Sequence, residues 1–412
     1  MKKTIPHIIT GIILLSTTAA CNDDADIPMV NLGIDDTYSV YRMRTLRLHP
    51  EFPGDSYTWS MPDSQGRDSI VGTGRDYFFC GPAPGDYYLT LRIDSPTDPV
   101  EHTTHIRVWE EDVAYSRYIS EVLEYRPAPG QFINQLPEYI EGDTEESMCK
   151  KVLECIGGKN DVLVSLGNYG GYVTFAFDHT VLNVPGEYDF SIDGNSFYSA
   201  SNPNPGAARP GGSAEPGIVM VAVDCNGNGR PDDPWYELAG SEYYKPETIH
   251  NYFVIYYRPD PDHQPVWLNG NITDAQYIRY EGNAGDTGYV EKNVYHTQDY
   301  WPGWITDNVM TFSGTRLAPN GIDESHQGNY FVLYCYDWGY ADNHPNKIGD
   351  LSKFKIDWAV DRNGNPVHLN GVDFIRVYTG VNQQCGWLGE TSTEISRAED
   401  LHIPDGTTLP TP

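Results

Sequence analysis

The sequence predicts an all-β protein, in which an N-terminal immunoglobulin-like sandwich is followed by a larger jelly-roll-like β-sandwich with a short connecting helix. The composition supports this, because 30 Tyr, 40 Gly and 30 Pro against 7 Met favour strands and turns. Apolar residues alternate with polar ones in several short segments. Strands and helices do not alternate along the chain, which argues against doubly wound and barrel α/β architectures.

The immunoglobulin-like unit is predicted over residues 28–110. Every second residue is apolar along residues 87–93, and residues 104–108 repeat the alternation. The Pro-Gly-Asp turn at 84–86 leads into the first run, and Trp59 marks an earlier central strand. This spacing of strands within about 80 residues is typical of an immunoglobulin-like sandwich.

A helical connector is predicted over residues 111–160. Residues 118–125 are predicted as a short helix, and Asp143 with Glu146 has the spacing of a capping box for a second one. Glycines at 157 and 158 end that second helix. Its apolar stripe consists of Met148, Val152, Leu153 and Ile156.

The larger sandwich is predicted over residues 161–412. Six strand candidates alternate with long loops: residues 173–177, 217–223, 252–257, 330–336, 354–360 and 374–378. The Asp-Arg-Asn-Gly-Asn segment at 361–365 predicts a hairpin turn between the last two. The loops are longer than simple connections need to be, which indicates a binding role for them.

The N-terminus has the pattern of a secretion signal over residues 1–20. Lys2 and Lys3 precede an apolar stretch at 8–15, and two alanines stand immediately before Cys21. Ordinary secretion is one interpretation of this pattern. The position of Cys21 favours the other, which is cleavage before the thiol and attachment of lipid to it. An acidic linker follows at 21–27.

The charge balance excludes some partners. Asp and Glu number 58 against 27 Lys and Arg, a formal net charge of −31. This excess argues against nucleic acid and anionic lipid as ligands, and it suits hard cations. Contact with a membrane is therefore predicted through the lipid anchor only. The six cysteines after Cys21 contain no C-x-x-C pair, which argues against a thiolate zinc site.

One segment has the oxygen spacing of a calcium loop. Oxygen-bearing side chains at positions 1, 3 and 5, with glycine at 6, can wrap a hard cation, and the loop resembles those of dockerin and thrombospondin repeats. Trp235 stands at position 12, where a bidentate acid is usual, so a neighbouring acid must complete the shell. The alternative is a glycine-rich turn that needs no ion. The predicted calcium ligands are Asp224, Asn226, Asn228, Arg230 (through its carbonyl), Asp232 and Asp233.

Aromatic residues in the turn-rich segments are the candidate ligand-binding residues. Exposed rings stack on sugar faces or planar macrocycles, although each ring could equally pack in the core. The candidates are Tyr169, Tyr172, Trp301, Trp304, Trp338, Tyr340 and Trp387.

Sequence motifs for catalysis are lacking. The chain has no G-x-S-x-G elbow, no H-E-x-x-H and no phosphate loop. Glu237, Asp337, Asp357 and Glu390 could pair as glycosidase carboxylates, but among 58 acids such candidates arise by chance. We therefore predict a binding protein and not an enzyme.

Four segments carry a resemblance to a known family: residues 165–171, 215–217 together with 235–241, 337–343 and 386–395. Over about residues 113–403 the chain resembles cell-surface lipoproteins of gut Bacteroidetes, which are joined to PKD-like domains. Residues 57–59 and 84–88 resemble a PKD-like domain, and the acids behind Cys21 resemble the surface-export signal of these lipoproteins.

The resemblance implies a lipoprotein of the outer membrane that faces the cell exterior. It implies an accessory role beside a TonB-dependent transporter, with a corrinoid such as vitamin B12 or a glycan as the captured nutrient. The alternatives are a secreted carbohydrate-active hydrolase and a structural adhesin.

Overall fold

The computed structural model describes residues 31–63, 65–96, 98–199 and 210–404. Within these ranges the chain forms many β-strands in several sheets and one α-helix, so the predicted all-β sandwich fold with a short helix is confirmed. None of the helical segments in this part combines the length and the apolar character that a membrane span requires. The predicted signal, Cys21 and the acidic linker lie outside the described residues.

The N-terminal sandwich contains two sheets around one core. Five strands form the larger sheet in the order β1-β7-β6-β3-β4, in which only β1 and β7 are parallel, and β2 pairs with β5. The seven strands are β1 (Thr37–Tyr41), β2 (Leu46–Leu48), β3 (Ser56–Pro62), β4 (Asp68–Gly72), β5 (Tyr77–Phe79), β6 (Gly85–Asp94) and β7 (Val100–Trp109).

Trp59 is the centre of this core. Its ring is fully buried and stacks on Tyr77 with 5.4 Å between the ring centroids, while its indole N–H donates to the carbonyl of Gly74. Burial follows the predicted alternation along β6, where Leu89, Leu91 and Ile93 face inward. A buried indole with a satisfied N–H is typical of a well-packed sandwich core.

The remainder of the chain contains a six-stranded antiparallel sheet, in the order β23-β15-β14-β25-β10-β8, and a four-stranded sheet, in the order β18-β17-β16-β19. Smaller two- and three-stranded sheets complete it. The elements are β8 (Glu121–Arg126), α1 (Glu145–Ile156), β9 (Val164–Ser165), β10 (Tyr172–Ala176), β11 (Val181–Leu182), β12 (Phe190–Asp193), β13 (Gly211–Gly212), β14 (Gly217–Ala222), β15 (Trp235–Leu238), β16 (Ile249–Tyr257), β17 (Ile272–Gly282), β18 (Thr287–Asn293), β19 (Val309–Arg316), β20 (Gly321–Asp323), β21 (Phe331–Tyr334), β22 (Lys353–Phe354), β23 (Ala359–Val360), β24 (Gly371–Val372), β25 (Phe374–Thr379), β26 (Glu394–Ile395) and β27 (Arg397–Asp400).

The connector differs from the prediction in two places. The helix predicted at 118–125 is wrong, because this segment forms β8, which pairs with β10 at the edge of the six-stranded sheet. The second predicted helix exists as α1, but its N-cap is Thr144, and Ser147 completes the capping box. The hydroxyl of Thr144 accepts the N–H of Ser147, and the hydroxyl of Ser147 accepts the N–H of Thr144. Two hydroxyl groups therefore form the capping box that was predicted for two acids.

The predicted strand at 354–360 is interrupted. A short 3-10 helix at Ile356–Trp358 separates β22 from β23. The Asp-Arg-Asn-Gly-Asn segment does form a tight turn, closed by the N–H of Asp361 donating to the carbonyl of Asn365. After this turn, Pro366 forms a single β-bridge with Val360 of β23. The turn does not pair β23 with β25, which is not its neighbour in the sheet.

The N-terminal sandwich packs directly against the rest of the molecule. The Asn370 side-chain amide donates to the carbonyl of Phe78 and to the hydroxyl of Tyr77, at 2.7 and 2.9 Å. The N–H of Thr180 donates to the carbonyl of Met43. These bonds and a small buried cluster around Met43 and Leu182 join the two parts.

Candidate functional site

A cleft of about 650 Å³ opens between loops of the larger region. Three exposed rings stand at its mouth: Phe197 is 59% exposed, Tyr295 is 61% exposed, and Trp387 lies beside Tyr295 with 6.1 Å between ring centroids. We call this cavity the aromatic cleft. Its aromatic lining consists of Phe132, Phe197, Tyr295, Tyr330, Phe331 and Trp387.

Three carboxyl groups meet at the base of the aromatic cleft. One oxygen each from Glu215, Asp342 and Glu394 lies within 4.8 Å of the other two. Glu215 and Glu394 line the cleft, and Asp342 lies behind them. We call these three residues the acidic floor.

The acidic floor joins four distant parts of the sequence. Ser165 is the last residue of β9. Its hydroxyl donates to Glu394 at 3.1 Å and lies 2.7 Å from the hydroxyl of Ser392. The N–H of Ser392 donates to Glu215, and the N–H of Glu394 donates to Asp342. These residues belong to the four segments on which the family resemblance depends, so the resemblance segments form one site.

Asp342 is held by the backbone around it. Its Oδ1 accepts the N–H groups of Asn195 and Ser196, both at 2.8 Å. Asp342 itself has a φ of 51°, a left-handed conformation that is uncommon for a residue other than glycine. A Cβ on Gly194 would lie 2.3 Å from the same oxygen, so glycine is required there. Strained backbone of this kind concentrates at functional sites.

Glu390 is a fourth acid of the aromatic cleft. Its side chain lines the cavity although the residue is only 3% exposed. The N–H of Gln131 donates to Oε1 at 2.6 Å, whereas Oε2 has no hydrogen-bond partner. A buried carboxyl oxygen without a partner is rare in folded proteins and calls for a ligand, a water molecule or a proton.

Burial governs the electrostatics of this site. It raises the pKa of Glu390 to about 8 and that of Glu394 to about 7. Burial and the neighbouring Glu394 charge raise the pKa of Glu215 and of Asp342 well above the usual range. Among the described lining residues there is no lysine or arginine, and burial lowers the pKa of His296, which keeps that ring neutral.

Four of the predicted ligand-binding aromatics are buried in the core and do not line the aromatic cleft. Tyr169, Trp301, Trp304 and Tyr340 are buried within the large core cluster. Trp304 stacks on Tyr125, for example, with 5.5 Å between ring centroids. Rings in turn-rich segments fill space beneath those turns, because burying so large a side chain is strongly favourable.

The other three predicted aromatics lie at the surface in different places. Tyr172 is partly buried under the guanidinium of Arg376, 4.5 Å from the ring centroid. Trp338 is exposed and packs on Trp358 away from the aromatic cleft. Of the seven predicted residues, Trp387 alone lines the aromatic cleft.

The predicted calcium loop is wrapped around Asp224. Its two carboxylate oxygens accept the N–H groups of Gly227, Asn228 and Gly229, at 2.8, 3.1 and 2.8 Å. The amide groups of Asn226 and Asn228 donate to Asp232. These bonds fit both the calcium loop and the ion-free turn, so calcium stays a prediction.

Asp233 lies at position 10 of this loop. Its Oδ2 is buried without a hydrogen-bond partner, and burial together with the charges of Asp224 and Asp232 raises its pKa. Asp233 is therefore placed to supply the ligand that Trp235 cannot supply at position 12.

The sequence reasoning missed the acidic floor and most of the cleft aromatics. Glu390 is one of the four candidate glycosidase carboxylates, but the other three, Glu237, Asp337 and Asp357, do not line the aromatic cleft. A usable signal existed, because Glu215, Asp342, Glu390 and Glu394 all lie inside the four resemblance segments.

Fold and site together define a β-sandwich protein with an aromatic cleft above a buried group of acids. No protein-family model matches the chain, and no curated protein matches it. Among solved structures, a SusE-like protein aligns with 9% identity and a TM-score of 0.24, covering 88% of this chain and 95% of the other. A quinonprotein alcohol dehydrogenase-like protein from Bacteroides thetaiotaomicron aligns with 10% identity and a TM-score of 0.16, covering 62% and 47%. Similarity this low carries no argument about the fold or the function of this chain.

Proposed function

We propose that this protein is a lipid-anchored, surface-exposed binding module that captures a nutrient glycan in the aromatic cleft. The main support is the convergence of the four resemblance segments on the acidic floor beneath exposed rings. Loops held this closely by buried hydrogen bonds form a preorganised site, which reduces the entropic cost of binding.

The chemistry of the aromatic cleft suits a neutral sugar. Flat rings such as Trp387 and Tyr295 can stack on the C–H face of a pyranose, and carboxyl groups below them accept hydrogen bonds from hydroxyl groups. Among the described lining residues no lysine or arginine is present to pair with phosphate or an acidic sugar. A cavity of about 650 Å³ is in the size range of small-ligand sites. A corrinoid is the other candidate ligand, and its broad ring would have to rest across the mouth.

Loss of one stacking ring should weaken binding. For Trp387→Ala we expect at least about a fivefold increase in Kd for a neutral glycan, since an aromatic contact contributes about 1 kcal/mol beyond its buried area. Titration calorimetry with a glycan panel and with cobalamin provides the measurement. Trp267→Ala is the matched control, because Trp267 is 69% exposed and lies outside the aromatic cleft. Equal affinities for the two variants would contradict the proposed site.

A hydrolase is the second candidate function, and Glu390 is the observation that favours it. A carboxyl group with a pKa of about 8 holds its proton at neutral pH, as a general acid must, and other carboxyl groups lie in the same cleft. Reducing sugar released from a polysaccharide by the wild type, and not by Glu390→Gln, would establish this alternative. The binding proposal expects saturable binding and no cleavage on long incubation.

A lipid anchor would attach this protein to the outer membrane. We propose lipid attachment at Cys21, display on the exterior of the outer membrane and cooperation with a TonB-dependent transporter. Cys21→Ala should move the protein from the detergent phase to the aqueous phase in a phase-partition experiment, because a lipidated terminus is the membrane contact. Unchanged partitioning would refute lipidation. Protection of the wild type from protease on intact cells would refute outward display.

We also propose that calcium binds the loop at 224–233. Asp224, Asn226, Asn228, Asp232 and Asp233 would hold the ion with the carbonyl of Arg230. An ion there neutralises three crowded carboxylates, and it stabilises the folded state because it binds only that state.

A further inference from the structure

The acidic floor has no basic partner. Among the residues that the structure describes, no lysine, arginine or histidine forms an ion pair with Glu215, Asp342 or Glu394. Three carboxyl groups within 4.8 Å of one another cannot all be ionised unless a cation lies between them. The floor therefore holds shared protons or a cation.

A second observation indicates a ligand at this place. The Oε2 atom of Glu390 has no hydrogen-bond partner although the residue is 3% exposed, and this side chain lines the cavity whose base is formed by Glu215 and Glu394. The hydroxyl of Ser196, whose N–H holds Asp342, is also buried without a partner. Glu390 therefore offers an unpartnered oxygen to the same cavity that Glu215 and Glu394 line.

Most side chains around the floor carry oxygen atoms that can bind a cation. Carboxylates, hydroxyl groups and the amide of Asn195, which also lines the cleft, are the ligands that hard divalent cations prefer. Among the cysteines that the structure describes, only Cys385 lines the cleft, and burial raises its thiol pKa to about 12 and keeps it protonated. Soft-metal chemistry is accordingly not supported by this donor set.

From these observations we propose that the acidic floor binds a calcium ion, which presents open coordination positions to the aromatic cleft. Calcium is favoured over magnesium because it accepts six to eight oxygen ligands in irregular geometry, whereas magnesium requires a near-ideal octahedron. Two vicinal hydroxyl groups of a sugar can complete the shell of the ion while the sugar ring stacks on Trp387. This second part rests on the proposed glycan function, whereas binding of the ion does not.

The test separates the floor from the loop at 224–233. The mature protein is stripped with chelator and titrated calorimetrically with calcium chloride alone at pH 7.5. Two sites per chain are expected for the wild type, and one each for Asp224→Ala, which removes the loop site, and for Glu394→Gln, which removes the floor site. Glu237→Gln is the matched control, because it alters a buried acid outside the aromatic cleft and should retain both sites.

A folded Asp224→Ala protein that binds no calcium would overturn the floor proposal and leave the acids sharing protons. Glu394→Gln preserves the shape of the side chain, and its fold is checked by circular dichroism. Glu215→Gln is the second floor variant if that check fails.

Glycan titration of Asp224→Ala with and without chelator then separates the two proposals. If calcium binds the floor but no glycan binds, the glycan function is refuted and the calcium site is not. If glycan binds with the same affinity in the presence of chelator, the bridging role of the ion is refuted and the glycan function is not.

Discussion

Replacing His179 with glutamine is expected to destabilise the protein by about 3–5 kcal/mol at pH 6, because it removes the middle member of a buried ionic group. The imidazole side chain is fully buried, with Nδ1 2.8 Å from Asp178 and Nε2 2.7 Å from Asp400. Asp400 is itself fully buried on β27, and glutamine cannot neutralise either acid. The group ties the end of the described chain to the segment after β10.

The effect of this substitution should depend on pH. Burial lowers the pKa of His179, but the hydrogen bonds to Asp178 and Asp400 outweigh burial, and the pKa is raised overall. The stabilisation is therefore fully present below the unfolded pKa of about 6.5, and it is lost as pH rises through the folded pKa. Urea unfolding of wild type and His179→Gln at pH 6 and pH 9 measures this difference. His368→Gln, at an exposed histidine, is the control. A difference between wild type and variant that stays constant from pH 6 to 9 would contradict the ionic role.

Glu237→Gln should change the free energy of unfolding in the opposite direction and stabilise the protein at alkaline pH. Glu237 lies on β15, where it accepts one hydrogen bond, from the hydroxyl of Thr315 at 2.6 Å. Burial raises its pKa to about 7. The folded state thus keeps a proton that the unfolded chain releases near pH 4.5, so the wild type loses up to about 3 kcal/mol of stability as pH rises from 4.5 through 7.

Glutamine resembles the protonated acid and does not titrate. We therefore expect Glu237→Gln to have the same stability as the wild type at pH 4. At pH 8 it should be more stable by most of about 3 kcal/mol. Melting temperatures across this pH range give the comparison, with Glu247→Gln as the control at an exposed acid. Parallel curves for wild type and Glu237→Gln would show that the carboxyl is already ionised in the folded state.

Local pattern was sufficient to predict much of the fold. Alternation along β6 and the stripe of Met148, Val152 and Ile156 on α1 both correspond to buried faces. The segment at 118–125 was mispredicted because its residues suit a helix as well as a strand. Its conformation is decided by pairing with β10, about fifty residues further on, which no local pattern contains.

The site was less predictable for a physical reason. Whether an aromatic ring is exposed depends on which loop covers it, so Trp387 and Trp301 look alike in sequence although one lines the aromatic cleft and the other is fully buried. The acidic floor depends on distances between acids in separate segments. The four resemblance segments indicated which acids matter, but only the fold shows that they meet.

The hydrogen bonds of the acidic floor also determine when the site can form. Ser165 and Glu394 are 229 positions apart in the chain, and Gln131 and Glu390 are 259 positions apart. Contacts this distant close late in folding, because the entropy of a long intervening loop must be lost first. During synthesis, which starts at the N-terminus, the N-terminal sandwich can fold while the cleft still lacks its final wall. A chain cleaved shortly before Glu390 would keep its N-terminal sandwich yet present no cleft, so ligand binding reports that the whole molecule has finished folding.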